Sequence, residues 1–186
     1  MQIILSQDSR QMVIDRAVAV LERGGIVVYP SDTVYGLAVD ATNPEAIAKL
    51  NKLKNRKLGQ RYSFNFGTIG MVKEFCNMTE TQESILKNYL PGPYTFIINE
   101  EISVRIPKDN IITEIAKAFE KPVTATSANV TGKAPATSTK NLDAKIYLAA
   151  DLIIEKPDFV ASEPSTIVDI STANHKVLRE GAFKFP

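Results

Sequence analysis

The chain has 186 residues, 44% of them hydrophobic, and a formal net charge of +1. That is enough length for one well-packed core and too little net charge for a surface that coats nucleic acid in general. The single cysteine, Cys76, excludes an internal disulfide, and with one histidine, His175, the chain cannot assemble a Cys/His zinc site. With no apolar run of about 18 residues and no secretory-signal pattern at the N-terminus, the expectation is one compact, soluble, cytoplasmic domain.

After Asp8 and Ser9, residues Val13, Ile14, Ala17, Val18 and Leu21 recur at helical spacing and stop at Gly24-Gly25, which predicts a helix ending there. "IVVYP" reads as a short apolar strand, and "SDTVYG" supplies turn-forming and hydroxyl side chains past its end. Asn43-Pro44-Glu45 opens a second helix with Ile47, Leu50 and Leu53 on one face. At its C-terminal end Lys52, Lys54, Arg56, Lys57 and Arg61 fall within ten positions. Cations there suit the helix dipole, so a solvated helix end competes with an anion site as the reading of the cluster.

"YSFNF" alternates as a strand, residues 79 to 90 read as a helix, and "LPGPYTFII" as a turn feeding another strand. "ISVRIP" is a short alternating strand with Arg105 on the face opposite Val104 and Ile106. A helix near residues 111 to 120 leads to the strand "PVTATSAN", the polar loop "ANVTGKAPATST" and a helix over residues 141 to 148. Strands at "DLIIE", "STIVDI" and "KVLRE" follow, the last two joined like a hairpin. Helices alternating with strands early, and a strand-rich end, predict an α/β fold with a mixed sheet and helices packed on it.

Neither a GxxxxGK[ST] phosphate loop nor a GxGxxG fingerprint is present, so cations and hydroxyls would have to hold a nucleotide's phosphates. Four segments near predicted strand ends offer them: Thr33 with Tyr35, Lys54 with Arg56, Ser127 with Asn129, and Ser165 to Arg179. Each has a bland alternative. Thr33 could cap its own turn, "TSANVTG" could be a polar loop, and Arg105 could pair with a carboxylate at a strand edge. His175 lies in a predicted hairpin turn, and Cys76 beside Phe75 reads as a small core hydrophobe, so no nucleophile–base set is credible.

Taken in order, "GGIVVYPSDTVYGLAVDA", "KLKNRK", "LPGPYTFII", "SVRIP", "VTATSANVTGKAPATS", "EPSTIVDIS" and "VLREGA" resemble the threonylcarbamoyl-AMP synthase family, the YrdC-like domain, from about residue 10 to residue 183. The resemblance implies an α/β fold with a twisted, open, mixed sheet flanked by helices and a positively charged cavity, and the short, single-domain type. It implies synthesis of threonylcarbamoyl-AMP and pyrophosphate from L-threonine, bicarbonate or CO2, and ATP with Mg2+. A downstream complex would use that product to modify adenosine 37 of tRNA. Lys54 and Arg56 match the family's Lys-x-Arg pair facing nucleotide phosphates in the cavity. Thr33, Arg105 and Ser165 match threonine contacts, with Arg105 on its carboxylate. Ser127, Asn129 and Arg179 match nucleotide contacts, and no metal ligand is implied.

The sequence departs from the family in three places. Lys57, Arg61 and Tyr62 stand where a proline and then a proline-leucine pair are common, Asn65 where many members carry a histidine near the amino acid, and Pro135 where many have a serine near the nucleotide. Two other readings stay open: an RNA-binding or ribosome-maturation module that contacts RNA or tRNA through the same basic concavity, and a silent nucleotide-binding paralogue.

Overall fold

The helix expected ahead of Gly24-Gly25 is α1 (Arg10–Glu22) in the computed structural model, which describes residues 2–57, 61–181 and 183–186. Gly24 closes it at φ +70°, where a side chain would be strained, and turns the chain into β2 (Val27–Pro30). Helix α2 (Pro44–Lys54) begins as expected: the Asn43 side chain accepts from the backbone N–H groups of Glu45 and Ala46, with Pro44 at the first turn. It ends at Asn55 in the left-handed conformation. Helix α4 (Glu80–Tyr89) opens on a reciprocal cap between Thr79 and Gln82.

The other predicted elements are present as β4 (Ser63–Asn65), β5 (Tyr94–Ile97), β6 (Ser103–Arg105), α5 (Ile111–Phe119), β7 (Val123–Ser127), α6 (Ala144–Ala149), β8 (Leu152–Glu155), β9 (Thr166–Asp169) and β10 (Lys176–Arg179). Three elements were not anticipated: β1 (Gln2–Leu5), β3 (Tyr35–Ala38) and α3 (Ile69–Phe75). Among the described residues no helix is long and apolar enough to cross a membrane.

The strands form one mixed sheet in the order β1-β8-β2-β3-β7-β4-β6-β5-β9-β10. Alternation along each strand assigns its two faces. On one face, Val27, Ala38, Val123, Leu152 and Ile154 meet α1 and α5. On the other, Val28, Leu37, Val39 and Ile153 meet α2 and α6, and Phe66, Phe96, Val104 and Val168 meet α3 and α4. Phe64 packs against both of these latter clusters, so they lie on one side of the sheet. Tyr62 and Phe66 are buried, which takes two of the aromatics beside the basic cluster away from any base-stacking surface.

Helices α1 and α5 cover only part of the first face. Across β7, β4, β6, β5 and β9 the residues on that face, opposite the partly buried Phe64 and the buried Val104, Phe96 and Val168, are Ser63, Ala125, Arg105, Thr95 and Ile167. They line a cavity instead of a helix interface.

Candidate active site

The cavity has a volume of about 400 Å³ and is walled by the β2–β3 turn, the strand ends around Ser127, the segment 162–165 and Arg179. That size suits a small-molecule site. The turn is organised by Ser31, whose hydroxyl accepts from the N–H groups of Thr33 and Val34 and lies 3.1 Å from the Thr33 hydroxyl. Ser162 braces the turn from across the cavity: its N–H donates to the Thr33 carbonyl at 2.9 Å and its hydroxyl to the Asp32 carbonyl at 2.5 Å.

Of the residues singled out in the sequence, Thr33, Tyr35, Arg105, Ser127, Ser165, Arg179 and Pro135 all line this one cavity. Ser165 is buried, shares a 2.9 Å hydrogen bond with Thr95, and accepts through its carbonyl from the Arg179 guanidinium at 2.8 and 3.2 Å. Arg179, on an exposed strand, thus turns its charge inward; burial of that head group, and secondarily Arg105, lower its pKa. One nitrogen of Arg105 donates to both oxygens of Asp32, at 2.9 and 2.8 Å. The Arg105 Nε is buried with no hydrogen-bond partner among the described residues.

Asn65 lies beside Arg105 in the parallel β4–β6 register. It is buried beneath the cavity floor and donates to the Tyr29 hydroxyl at 2.9 Å, while its own carbonyl oxygen has no partner among the described residues. Tyr29 lines the cavity; burial pushes its pKa up to about 12, so it remains a neutral phenol. The Tyr29 ring lies across Gly36, where a Cβ would come within 2.5 Å of it, so the strand pair needs glycine there.

The Lys-x-Arg pair stands at the C-terminal end of α2 and just past it. Neither Lys54 nor Arg56 lines the cavity among the described residues. Lys54 is only 3% exposed, and its ammonium donates to the carbonyls of Ser127 at 2.5 Å and Asn129 at 2.8 Å. The cause is the end of α2, which carries Lys54 inward against the strand-end loop, while the Lys54 carbonyl accepts from Thr131 N–H. Burial, then Arg56, lower the Lys54 pKa to about 8. Arg56 stacks over the Tyr62 ring at 4.1 Å and donates to the Arg61 carbonyl. Asn129 also turns away from the cavity, donating to the Lys133 carbonyl at 2.7 Å and accepting from the Ser127 hydroxyl.

His175 is exposed in the hairpin, and Cys76, half-buried against the α3–α4 cluster, has its thiol pKa raised by burial, so neither supplies a nucleophile. Sequence reading missed Asp32, Tyr29, Thr95 and Ser162. Among these, only Tyr29 had a sequence signal, since alternation with Val27 puts it on the face that later carries Arg105.

The family model described as telomere recombination, Sua5/YciO/YrdC, matches residues 19–181. The chain belongs to the Sua5/YciO/YrdC family. It is similar to a threonylcarbamoyl-AMP synthase of Vibrio campbellii, 28% identical over 183 residues that cover 90% of this chain and 98% of the relative. Its fold matches P. abyssi Sua5 complexed with L-threonine (TM-score 0.84, 23% identity, 97% of this chain) and E. coli YciO (TM-score 0.83, 23% identity, 98% of this chain and 95% of that one). The chain spans 58% of that Sua5 chain. Family membership thus agrees with the resemblance, and so does the mixed, helix-flanked sheet.

Proposed function

We propose that the cavity is the active site of an L-threonylcarbamoyladenylate synthase, which makes threonylcarbamoyl-AMP and pyrophosphate from L-threonine, bicarbonate or CO2, and ATP. The observation that carries this reading is the convergence of Arg105, Thr33, Ser165, Ser127 and Arg179 on one 400 Å³ cavity in a chain whose relatives are named for that activity. An arginine suits the carboxylate of an amino acid, and the Thr33 and Ser165 hydroxyls suit its polar side chain. Arg179 and Ser127 stand on opposite walls, where an adenylate's phosphate and sugar would lie.

The chemistry asks little of the protein as a nucleophile. The threonine amine takes up CO2 to form a carbamate, a carbamate oxygen attacks the α-phosphorus, and pyrophosphate leaves. Rate then comes from holding the carbamate in line with the α-phosphorus and from cationic groups facing the charge that develops there. Lys54 serves through the Ser127–Asn129 segment that its ammonium holds, and Arg56 adds positive charge at the edge of the site. Among the described residues no group of three or more His, Cys, Asp or Glu could hold a metal ion. Mg2+ enters in this reading with ATP, bridging its phosphate oxygens. The product then serves a tRNA threonylcarbamoyl-transfer complex acting at adenosine 37.

Pyrophosphate release from Mg-ATP by the purified protein, with and without L-threonine and bicarbonate, tests the reading. Release that needs both co-substrates is the expected result; nucleotide binding without release would favour the silent paralogue.

A further inference from the structure

We infer that Asp32 is the ammonium receptor of the amino-acid subsite, holding Arg105 until a substrate arrives and then exchanging partners with it. The inference rests on the threonine reading of the cavity proposed above. A zwitterionic amino acid brings a carboxylate and an ammonium group only a few ångströms apart. Inserted into an arginine–aspartate pair, it can give its carboxylate to Arg105 and its ammonium to Asp32, so that one ion pair becomes two and every charge stays compensated.

Three observations support this exchange over a permanent structural pair. First, Asp32 grips Arg105 through a single nitrogen, which donates to both carboxylate oxygens, instead of through the parallel two-nitrogen fork. Among the described residues the buried Nε has no acceptor, so Arg105 keeps unfilled capacity for a second carboxylate. Second, the backbone around Asp32 is fixed while its side chain is not. Ser162 holds the carbonyls of Asp32 and Thr33, whereas the Asp32 carboxylate has no partner other than Arg105 among the described residues. The carboxylate can therefore turn without moving the turn that carries it.

Third, the cavity offers the ammonium group no other carboxylate among the described residues. Two guanidiniums, Arg105 and Arg179, line it, and no aspartate or glutamate does among the described residues. Asp32, between the lining residues Ser31 and Thr33, is the carboxylate bonded to a lining side chain. An amine bound without it would meet hydroxyl groups but no opposite charge among the described lining residues. The arrangement also defines the substrate class: an α-amino acid fits, and a hydroxy acid lacking the amine would have to bind with Asp32 displaced and uncompensated.

Calorimetric titration of the protein and of Asp32→Asn with L-threonine and with 3-hydroxybutyrate, its analogue lacking the amine, tests the exchange. The unaltered protein should prefer L-threonine. Asp32→Asn, which keeps the size and hydrogen-bonding capacity of the side chain, should weaken L-threonine by roughly 10- to 100-fold. It should leave 3-hydroxybutyrate equal or tighter, so that the preference collapses. Asp32→Glu, which restores the charge, should recover much of it. Equal loss for both ligands, or an unchanged preference in Asp32→Asn, would overturn the exchange alone; failure of the unaltered protein to bind L-threonine at all would overturn the proposed function and the exchange with it.

Discussion

Replacing Lys54 with methionine removes a charge held inside the protein by carbonyl oxygens alone, and the consequence depends on pH in a defined direction. Burial lowers the Lys54 pKa from 10.5 to about 8, equivalent to roughly 3 kcal/mol against carrying the proton in the folded state. The unfolded chain keeps that proton up to its ordinary pKa while the folded protein releases it near pH 8. The folded state therefore binds fewer protons between these limits, and stability rises with pH across that window. From about pH 7.5 to about pH 9.5 the gain is ~2 kcal/mol. Lys54→Met lacks this gain and also leaves the Ser127 and Asn129 carbonyls without their donor, a cost of about 1–3 kcal/mol each that does not vary with pH. Tyr29, whose raised pKa has no contribution from Lys54, cancels in the difference.

Urea unfolding of both proteins at the two pH values is the assay. The stability of the unaltered protein relative to Lys54→Met should increase by ~2 kcal/mol on going to the higher pH. Parallel behaviour would refute the reasoning and would mean that the carbonyl cage holds the ammonium's proton at its ordinary affinity.

Arg105→Ala should raise the KM for L-threonine by roughly 10- to 150-fold, the equivalent of one charge-assisted contact, with the KM for ATP nearly unchanged in steady-state kinetics. Equal loss of both would assign Arg105 a structural role. Arg56→Ala should lower turnover strongly, and should cost about 0.5–1 kcal/mol of thermal stability through the lost stacking on Tyr62, with the lost donation to the Arg61 carbonyl adding to it. Gly36→Ala should destabilise the protein by about 1–3 kcal/mol in denaturant unfolding, because the new methyl group would displace the Tyr29 ring and strain its bond to Asn65.

The elements legible in the sequence are those with local signals: the Asn43-Pro44 start of α2, the Thr79–Gln82 cap of α4, and the alternation that put Arg105 opposite Val104 and Ile106. β3 was missed because Tyr35–Ala38 is buried on both faces and lacks an alternating pattern. α3, at seven residues, is too short to display helical periodicity. The resemblance to a family gathered Thr33, Arg105, Ser127, Ser165 and Arg179 of the cavity's lining, but not the partners of the Lys54 ammonium. Only the three-dimensional packing of α2 against the Ser127–Asn129 loop turns that ammonium onto carbonyls. Asp32 and Arg105 are 73 residues apart, and their pairing spans the sheet, since β7 and β4 stand between β3 and β6 in the strand order. Ser162 lies in a segment without regular structure, where no spacing announces a contact.

In the proposed function the cavity joins threonine, a one-carbon acid and the adenylate of ATP. Incubating the purified protein with L-threonine, Mg-ATP and carbon-13-labelled bicarbonate, followed by mass spectrometry, measures this most directly. The account predicts threonylcarbamoyl-AMP carrying the label, absent when L-threonine is omitted; an unlabelled adenylate, or no adenylate despite bound ATP, would contradict it.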